Sequence, residues 1–128
     1  MQILVADDDP LQTGLLQVLL SDYGHQVVVV SNGAAAWEEL QLRPFDILIT
    51  DWIMPGMSGQ DLVDRIRAEE FGKRMYVILS SSRGAALEVG ESMMGGADDL
   101  LEKPVSEEDL QARLATAEEK LKVRQAGS

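Results

Sequence analysis

Short apolar blocks alternate with segments of helical spacing along this chain, and that alternation is the strongest constraint on its fold. The strand-like blocks lie at residues 3–6, 27–30, 45–50, 75–80 and 100–101. The middle three are mainly continuous apolar runs rather than strict alternations, which is typical of strands buried on both faces of a parallel sheet. Strands that alternate with helices in this way predict a parallel α/β sheet with right-handed crossovers.

The segments between the blocks predict five helices. The first is marked by Leu11, Leu15, Val18 and Leu19 and ends at Gly24, and the second covers residues 34–42 before Pro44. The third is marked by Leu62, Val63 and Ile66 before Gly72, and the fourth covers residues 85–94 with Gly90 inside it. The fifth is marked by Leu110, Leu114, Ala117 and Leu121. Ser106 can cap the last helix, with Asp109 as its capping-box partner. We expect one domain over residues 1–124, followed by a tail or the start of a linker at residues 125–128.

The composition excludes several classes of function. With 22 acidic against 11 basic residues the net charge is -11, which argues against nucleic-acid binding by this domain. The absence of cysteine and the single histidine exclude disulfides and the usual zinc sites. No apolar run approaches the roughly 20 residues of a membrane span, and the N-terminus does not resemble a signal peptide. We therefore expect a cytoplasmic protein without membrane contact.

Polar residues gather where the predicted strands end, at the edge where parallel sheets bind ligands. They are the aspartates at positions 7–9, Asp51, the serines at positions 80–82 and Lys103. Converging carboxylates repel one another unless a cation lies among them, and Mg²⁺ prefers such oxygen ligands. With a lysine and a hydroxyl the set matches phosphoryl transfer, in which an aspartate can itself become the phosphorylated nucleophile.

Each of these residues also has a plain structural interpretation. Asp9 followed by Pro10 is a good N-cap and N1 pair, and the sequence favours that role for Asp9. Asp7 and Asp8 could be solvated loop acids, Lys103 an ordinary loop lysine, and the serines a polar strand end. Only the joint pattern, four strand ends with complementary charges at one edge, favours a site.

An ordered set of motifs runs through the chain: DD at positions 7–8, DWIMPGMSG at 51–59, a strand-end serine at 81 and EKP at 102–104. The set resembles the receiver domain of two-component response regulators, over residues 1 to about 121. The resemblance implies a flavodoxin-like, doubly wound (βα)5 domain, with a five-stranded parallel sheet in the order 2-1-3-4-5 and helices on both faces. It also implies a phosphorylated signalling domain rather than an enzyme, although such domains take part in their own phosphoryl transfer and autodephosphorylation.

The resemblance assigns the acceptor and the metal ligands. Asp51 would be the phosphoacceptor, attacking the phosphoryl group of a histidine kinase phosphohistidine. Asp7, Asp8, Asp51 and the backbone carbonyl of Ile53 would hold Mg²⁺, with Asp8 as a direct ligand and Asp7 acting mainly through water.

The resemblance also assigns the residues around the acceptor. Ser81 would be the switch hydroxyl that moves toward the phosphoryl group, and Lys103 would pair with the oxygens of that group. Pro55 and Gly59 would shape the loop after the acceptor. A cis bond between Lys103 and Pro104 is common in this family, in keeping with the rule that cis peptides are largely a proline feature.

The sequence departs from the family pattern at two positions. Leu100 stands where a Tyr or Phe usually belongs to the switch, so an inward flip of a tyrosine is not available. The switch hydroxyl is Ser81 rather than the commoner threonine, which keeps the donor. Beside the site, the apolar Ile53 and the long Arg83 could block an attacking water, which predicts a fairly long-lived phosphoryl group.

The resemblance implies a sensor histidine kinase or a phosphotransfer protein as phosphodonor. Phosphorylation would switch the surface of the fourth predicted helix, the fifth strand and the last helix, which could also form a homodimer. The last helix is similar to those that lead to a diguanylate cyclase-like or other C-terminal output domain. Two alternatives remain: a degenerate receiver that binds partners without phosphorylation, and an aspartyl-phosphate phosphatase. The phosphatase is disfavoured because Ile53 stands where such enzymes carry a second aspartate.

Overall fold

A computed structural model describes residues 1–82 and 96–126, and the strands within them form one parallel sheet. The strands are β1 (Gln2–Ala6), β2 (Gln26–Val30), β3 (Ile47–Asp51), β4 (Tyr76–Ser82) and β5 (Asp99–Lys103). Their order is β2-β1-β3-β4-β5, and each neighbouring pair is parallel. Each strand lies over its predicted block, so the predicted sheet and its order are confirmed.

Four α-helices lie within the described residues. They are α1 (Pro10–Asp22), α2 (Gly33–Leu42), α3 (Gly59–Arg67) and the C-terminal helix (Glu107–Ala126). A short 3-10 helix, Phe71–Arg74, was not predicted. The helix predicted over residues 85–94 lies outside the described residues. None of the described helices is both long enough and apolar enough to cross a membrane.

Side-chain caps fix where the helices begin. The carboxylate of Asp9 accepts a hydrogen bond from the Leu11 N–H at 3.0 Å, and Pro10 opens α1, so the predicted cap is present. Ser106 Oγ accepts from the Asp109 N–H at 3.1 Å at the start of the C-terminal helix. That helix continues to Ala126, and the domain boundary at residue 124 stays a prediction.

Two apolar cores lie on opposite faces of the sheet, because successive side chains of a strand point to opposite faces. Leu4 and Leu48 pack with α2 and α3 on one face. Ile3 and Ile47 pack with α1 and the C-terminal helix on the other. The doubly wound arrangement leaves the carboxyl edge of the sheet open for polar residues.

Candidate functional site

Three carboxylates meet at the carboxyl edge of the sheet. Asp7 and Asp8 follow β1, and Asp51 ends the neighbouring β3, whose Thr50 is paired with Ala6. Asp7, Asp8 and Asp51 each place an oxygen within 4.8 Å of the others. The structure therefore brings together the three aspartates that the sequence singled out as metal ligands.

Asp7 and Asp8 occupy different environments. Asp7 is buried, and its carboxylate accepts the Asp9 N–H at 3.0 Å. Asp8 is exposed to solvent. Asp8 is therefore free to face an incoming cation, while Asp7 is already held by the protein.

Lys103 brings a positive charge to these carboxylates from the end of β5. Its Nζ atom lies 2.8 Å from Asp7 Oδ2 and 3.3 Å from Asp51 Oδ2. Burial lowers the pKa of Lys103, but the hydrogen bond to Asp7 and the charges of Asp51 and Asp7 outweigh it, so the pKa ends above its ordinary value. Lys103 is thus held in its charged form beside Asp51.

Asp51 lies at the centre of the site with a largely buried side chain. Burial raises the pKa of Asp51 above its ordinary value, with a further rise from Asp7 that Lys103 opposes. The Ile53 N–H donates to Asp51 Oδ1 at 3.4 Å. The Ile53 side chain is 68% exposed, and the role of its carbonyl as a metal ligand stays a prediction.

Ser81 contributes a hydroxyl that has no hydrogen-bond partner among the described residues. Its side chain is buried, and its Oγ atom is shielded from solvent. Ser81 lines a cleft of about 160 Å³ whose walls include Asp51, Ile53 and Lys103. A buried hydroxyl without a partner carries a desolvation cost that an acceptor oxygen in the cleft would relieve.

Gly59 allows α3 to begin directly against Asp51 and Trp52. Its N–H donates to the Trp52 carbonyl at 2.9 Å. A Cβ atom built there would lie 2.3 Å from the Asp51 carbonyl oxygen and 2.9 Å from Trp52 Cα. Only glycine fits this approach, which fixes the loop between Asp51 and α3.

The donors at this edge fit Mg²⁺. Three carboxylates supply hard oxygen ligands, and the cluster contains neither a thiolate nor an imidazole. Mg²⁺ commonly binds through one or two carboxylates and keeps several waters, which an open edge of a sheet permits. Asp7, Asp8 and Asp51 are therefore the side chains that would hold the ion.

Some site features differ from the sequence-based interpretation or lie beyond it. Ser82, one of the strand-end serines, lines the cleft, and so does Trp52, which was not singled out although it follows Asp51 directly. The pairing of Lys103 with Asp7 was also missed. The Lys103–Pro104 bond is cis, as expected. Leu100 is partly buried and packs against the core on the α2 and α3 face, and Arg83 lies outside the described residues.

Comparison with known proteins identifies the family. The family described as response regulator receiver domain matches residues 3–115. The chain belongs to this family. It is 37% identical over 112 residues to the sensor histidine kinase GacS of Pseudomonas protegens, covering 85% of the chain and 12% of that protein. It is 33% identical over 116 residues to the chemotaxis protein CheY1 of Helicobacter pylori, covering 89% and 94%.

The fold is also similar to that of a receiver domain of known structure. It belongs to a sensor histidine kinase of Pseudomonas aeruginosa and has a magnesium ion coordinated in its active-site cleft. The two folds superpose with a TM-score of 0.80 at 26% identity, over 88% of this chain and 93% of that one. The chain is thus a receiver domain of the two-component type, a signalling domain. It spans only 12% of GacS, so the activity of that whole kinase is not carried over.

Proposed function

We propose that this receiver domain accepts a phosphoryl group on Asp51, from the phosphohistidine of a sensor histidine kinase or a phosphotransfer protein. An Asp51 carboxylate oxygen attacks phosphorus in line with the leaving imidazole nitrogen. The O–P bond forms as the P–N bond breaks, and the imidazole keeps the electron pair and takes up a proton. The product is an aspartyl phosphate and a neutral donor histidine.

One observation carries this proposal: Asp51, Lys103 and Ser81 line a single cleft. Phosphoryl transfer needs positioning and neutralisation of charge more than covalent chemistry from the protein. Lys103 Nζ, already 3.3 Å from Asp51 Oδ2, can pair with a phosphoryl oxygen. The Ser81 hydroxyl can donate a hydrogen bond to another phosphoryl oxygen, which would give this hydroxyl group a partner.

Mg²⁺ is the cofactor that we propose for this reaction, with Asp7, Asp8, Asp51 and the Ile53 carbonyl as its ligands. The ion would neutralise charge on the phosphoryl oxygens when bound. The cluster of three carboxylate oxygens supports this choice, as does the magnesium ion in the related receiver domain. The protein's own part is to hold the acceptor oxygen and the Lys103 charge in place.

An apolar stripe on α1 supports docking of a helical phosphodonor beside the acceptor. Leu11, Leu15 and Val18 share one face and are 84%, 43% and 60% exposed. Helix α1 begins just after Asp8, so this face adjoins the acidic cluster. Large apolar side chains exposed together mark interaction sites, and this stripe would seat a donor helix that presents its histidine to Asp51.

Phosphorylation would then switch the surface of β5 and the C-terminal helix, together with the fourth predicted helix, which lies outside the described residues. It adds negative charge that can bias an existing two-state equilibrium. We propose that this surface controls a partner, a second copy or a C-terminal output domain, and that the domain works in the cytoplasm. Partly buried Leu100 has no hydroxyl, so the coupling to Ser81 uses no tyrosine flip.

Beryllofluoride, which mimics a phosphoryl group, tests the acceptor together with Mg²⁺. We expect amide NMR shifts at Ser81 and Lys103 in the wild-type protein and none in Asp51→Asn. If the wild-type protein shows no shift, the domain is a degenerate receiver that binds partners without phosphorylation. Shifts that persist in Asp51→Asn would place the acceptor elsewhere.

A further inference from the structure

A second charged cluster lies at the opposite edge of the sheet, centred on Asp98 just before β5. Its carboxylate accepts from the Val77 N–H at 2.8 Å and from Arg67 Nη2 at 2.7 Å. Arg124 donates to it through both Nη1, at 3.2 Å, and Nη2. Only 15% of the Asp98 side chain is exposed, so these charge-assisted bonds lie in a largely dry environment.

The two arginines also bind the backbone around Asp98. Arg67 donates to the carbonyls of Gly96, Gly72 and Met75 at 2.8, 2.6 and 2.8 Å. Arg124 donates to the same Met75 carbonyl at 2.7 Å, with its guanidinium over the Tyr76 ring. The cluster therefore joins the ends of α3 and the C-terminal helix to the starts of β4 and β5.

Helix α3, strand β5 and the C-terminal helix each run from this cluster to the carboxyl edge of the sheet, where Asp51 lies. Helix α3 begins at Gly59, which is bonded to Trp52 beside Asp51, and ends at Arg67. Strand β5 runs from the cluster to Lys103, and the C-terminal helix starts shortly after Lys103 and carries Arg124 in its last turns. These three rigid elements span the domain from the acceptor to Asp98.

We propose that Asp98 is a positioning residue that carries the state of Asp51 to the last turn of the C-terminal helix. A phosphoryl group on Asp51 attracts Lys103 and alters the loop before Gly59, so β5 and α3 shift together. Packed elements transmit such shifts because they have discrete arrangements rather than continuous ones. The Arg67–Asp98–Arg124 bridge passes the shift to the helix end. This inference rests on the proposed function.

Amide hydrogen exchange with Mg²⁺ and beryllofluoride tests the bridge. In the wild-type protein we expect exchange in residues 119–126 to change about threefold or more when the acceptor is occupied. In Asp98→Asn that change should be lost, while protection around Asp51 and Lys103 persists. Asp64→Asn is the control, since Asp64 is an exposed carboxylate on α3 that binds Gln60, and it should respond like the wild type.

Arg67→Lys covers the case in which Asp98→Asn fails to fold. Lysine keeps the positive charge but lacks the planar guanidinium group that binds Asp98 and the backbone carbonyls at the same time. The change in hydrogen exchange in residues 119–126 should therefore also be lost. The inference is overturned if beryllofluoride protects the acceptor edge and the helix end does not respond, or responds equally in these variants. Absence of protection at Asp51 in the wild type would instead refute the proposed function.

Discussion

The Nζ atom of Lys103 lies 2.8 Å from Oδ2 of Asp7, closer than its 3.3 Å approach to Asp51. The ammonium group is therefore anchored by a buried carboxylate that is not the proposed phosphoacceptor. Because Asp7 holds the lysine, Lys103 can turn toward a phosphoryl oxygen on Asp51 without losing its first partner. Asp7 therefore positions the lysine ammonium group, while Asp51 is the residue proposed to react.

Replacing Lys103 with methionine should weaken beryllofluoride binding at least about tenfold and leave the fold intact. The buried carboxylate of Asp7 and the largely buried one of Asp51 lose their counter-charge, so the free energy of unfolding without Mg²⁺ should fall by about 2 kcal/mol. Urea unfolding measures this change. Lys73→Met is the control, because Lys73 forms an exposed pair with Glu70 and its loss should change stability by less than about 0.5 kcal/mol. Equal losses in both variants would contradict the account.

Replacing Asp8 with asparagine should weaken Mg²⁺ binding and raise stability when Mg²⁺ is absent. The substitution removes one of three mutually repelling carboxylates without removing a contact to Lys103. Titration calorimetry with Mg²⁺ and thermal unfolding with EDTA measure the two effects. Asp9→Asn keeps the helix cap and should leave Mg²⁺ affinity nearly unchanged. An Asp8→Asn protein that binds Mg²⁺ like the wild type would rule out Asp8 as a ligand.

Two glycine-to-alanine changes should have opposite effects. In Gly59→Ala the new Cβ meets the Asp51 carbonyl oxygen, so we expect a loss of about 1–3 kcal/mol and impaired phosphorylation. Gly14 is exposed on α1 with nothing within 4 Å of an added Cβ. Gly14→Ala should therefore stabilise the protein by about 1 kcal/mol through helix propensity. Chemical unfolding compares the two, and a harmless Gly59→Ala would disprove the close approach.

The exposed side chain of Ile53 should prolong the life of the phosphorylated protein. An apolar group beside Asp51 offers no hydrogen bond to an attacking water. We expect the purified wild-type aspartyl phosphate to last minutes or longer and to decay faster in Ile53→Asn, which is of similar size but can bind water. Loss of phosphate from intact protein, followed by mass spectrometry, gives the rate. A wild-type lifetime of seconds would refute the prediction.

Acid should weaken the Asp98 cluster. Burial raises the pKa of Asp98, but hydrogen bonds from Arg124 and Val77 and the arginine charges outweigh it and hold the pKa below its ordinary value. Because the pKa of Asp98 is lower in the folded protein than its ordinary value of 3.8, the charged carboxylate stabilises the fold above pH 3.8. This contribution is lost as the pH falls through the lower pKa of the folded protein. The stability gap between wild type and Asp98→Asn, measured by urea unfolding, should therefore narrow as pH falls below 3.8. A gap that stays constant would contradict this.

The sheet and most of the site could be predicted because both follow from local patterns. Buried strands are continuous apolar runs, and parallel strands deliver Asp8, Asp51 and Lys103 to one edge whatever the details of packing. The different burial of Asp7 and Asp8 could not be predicted, since it depends on how one turn folds after β1.

The Asp98 cluster could not be predicted from the sequence for a different reason. Arg67 and Arg124 lie on separate helices far from Asp98 along the chain. In the sequence, each is a positive charge near the end of a helix, with nothing to indicate a partner. Their meeting depends on side-chain length and on how the helices pack across the two faces of the sheet. The 3-10 helix after α3 was missed similarly, because it carries no apolar period.

Intact-mass measurement after incubation with acetyl phosphate and Mg²⁺ tests the central claim most directly. We predict that the wild-type protein gains the mass of one phosphoryl group, that hydroxylamine removes it, and that Asp51→Asn gains none. An unmodified wild-type protein, or an Asp51→Asn protein that is labelled to the same extent, would contradict it.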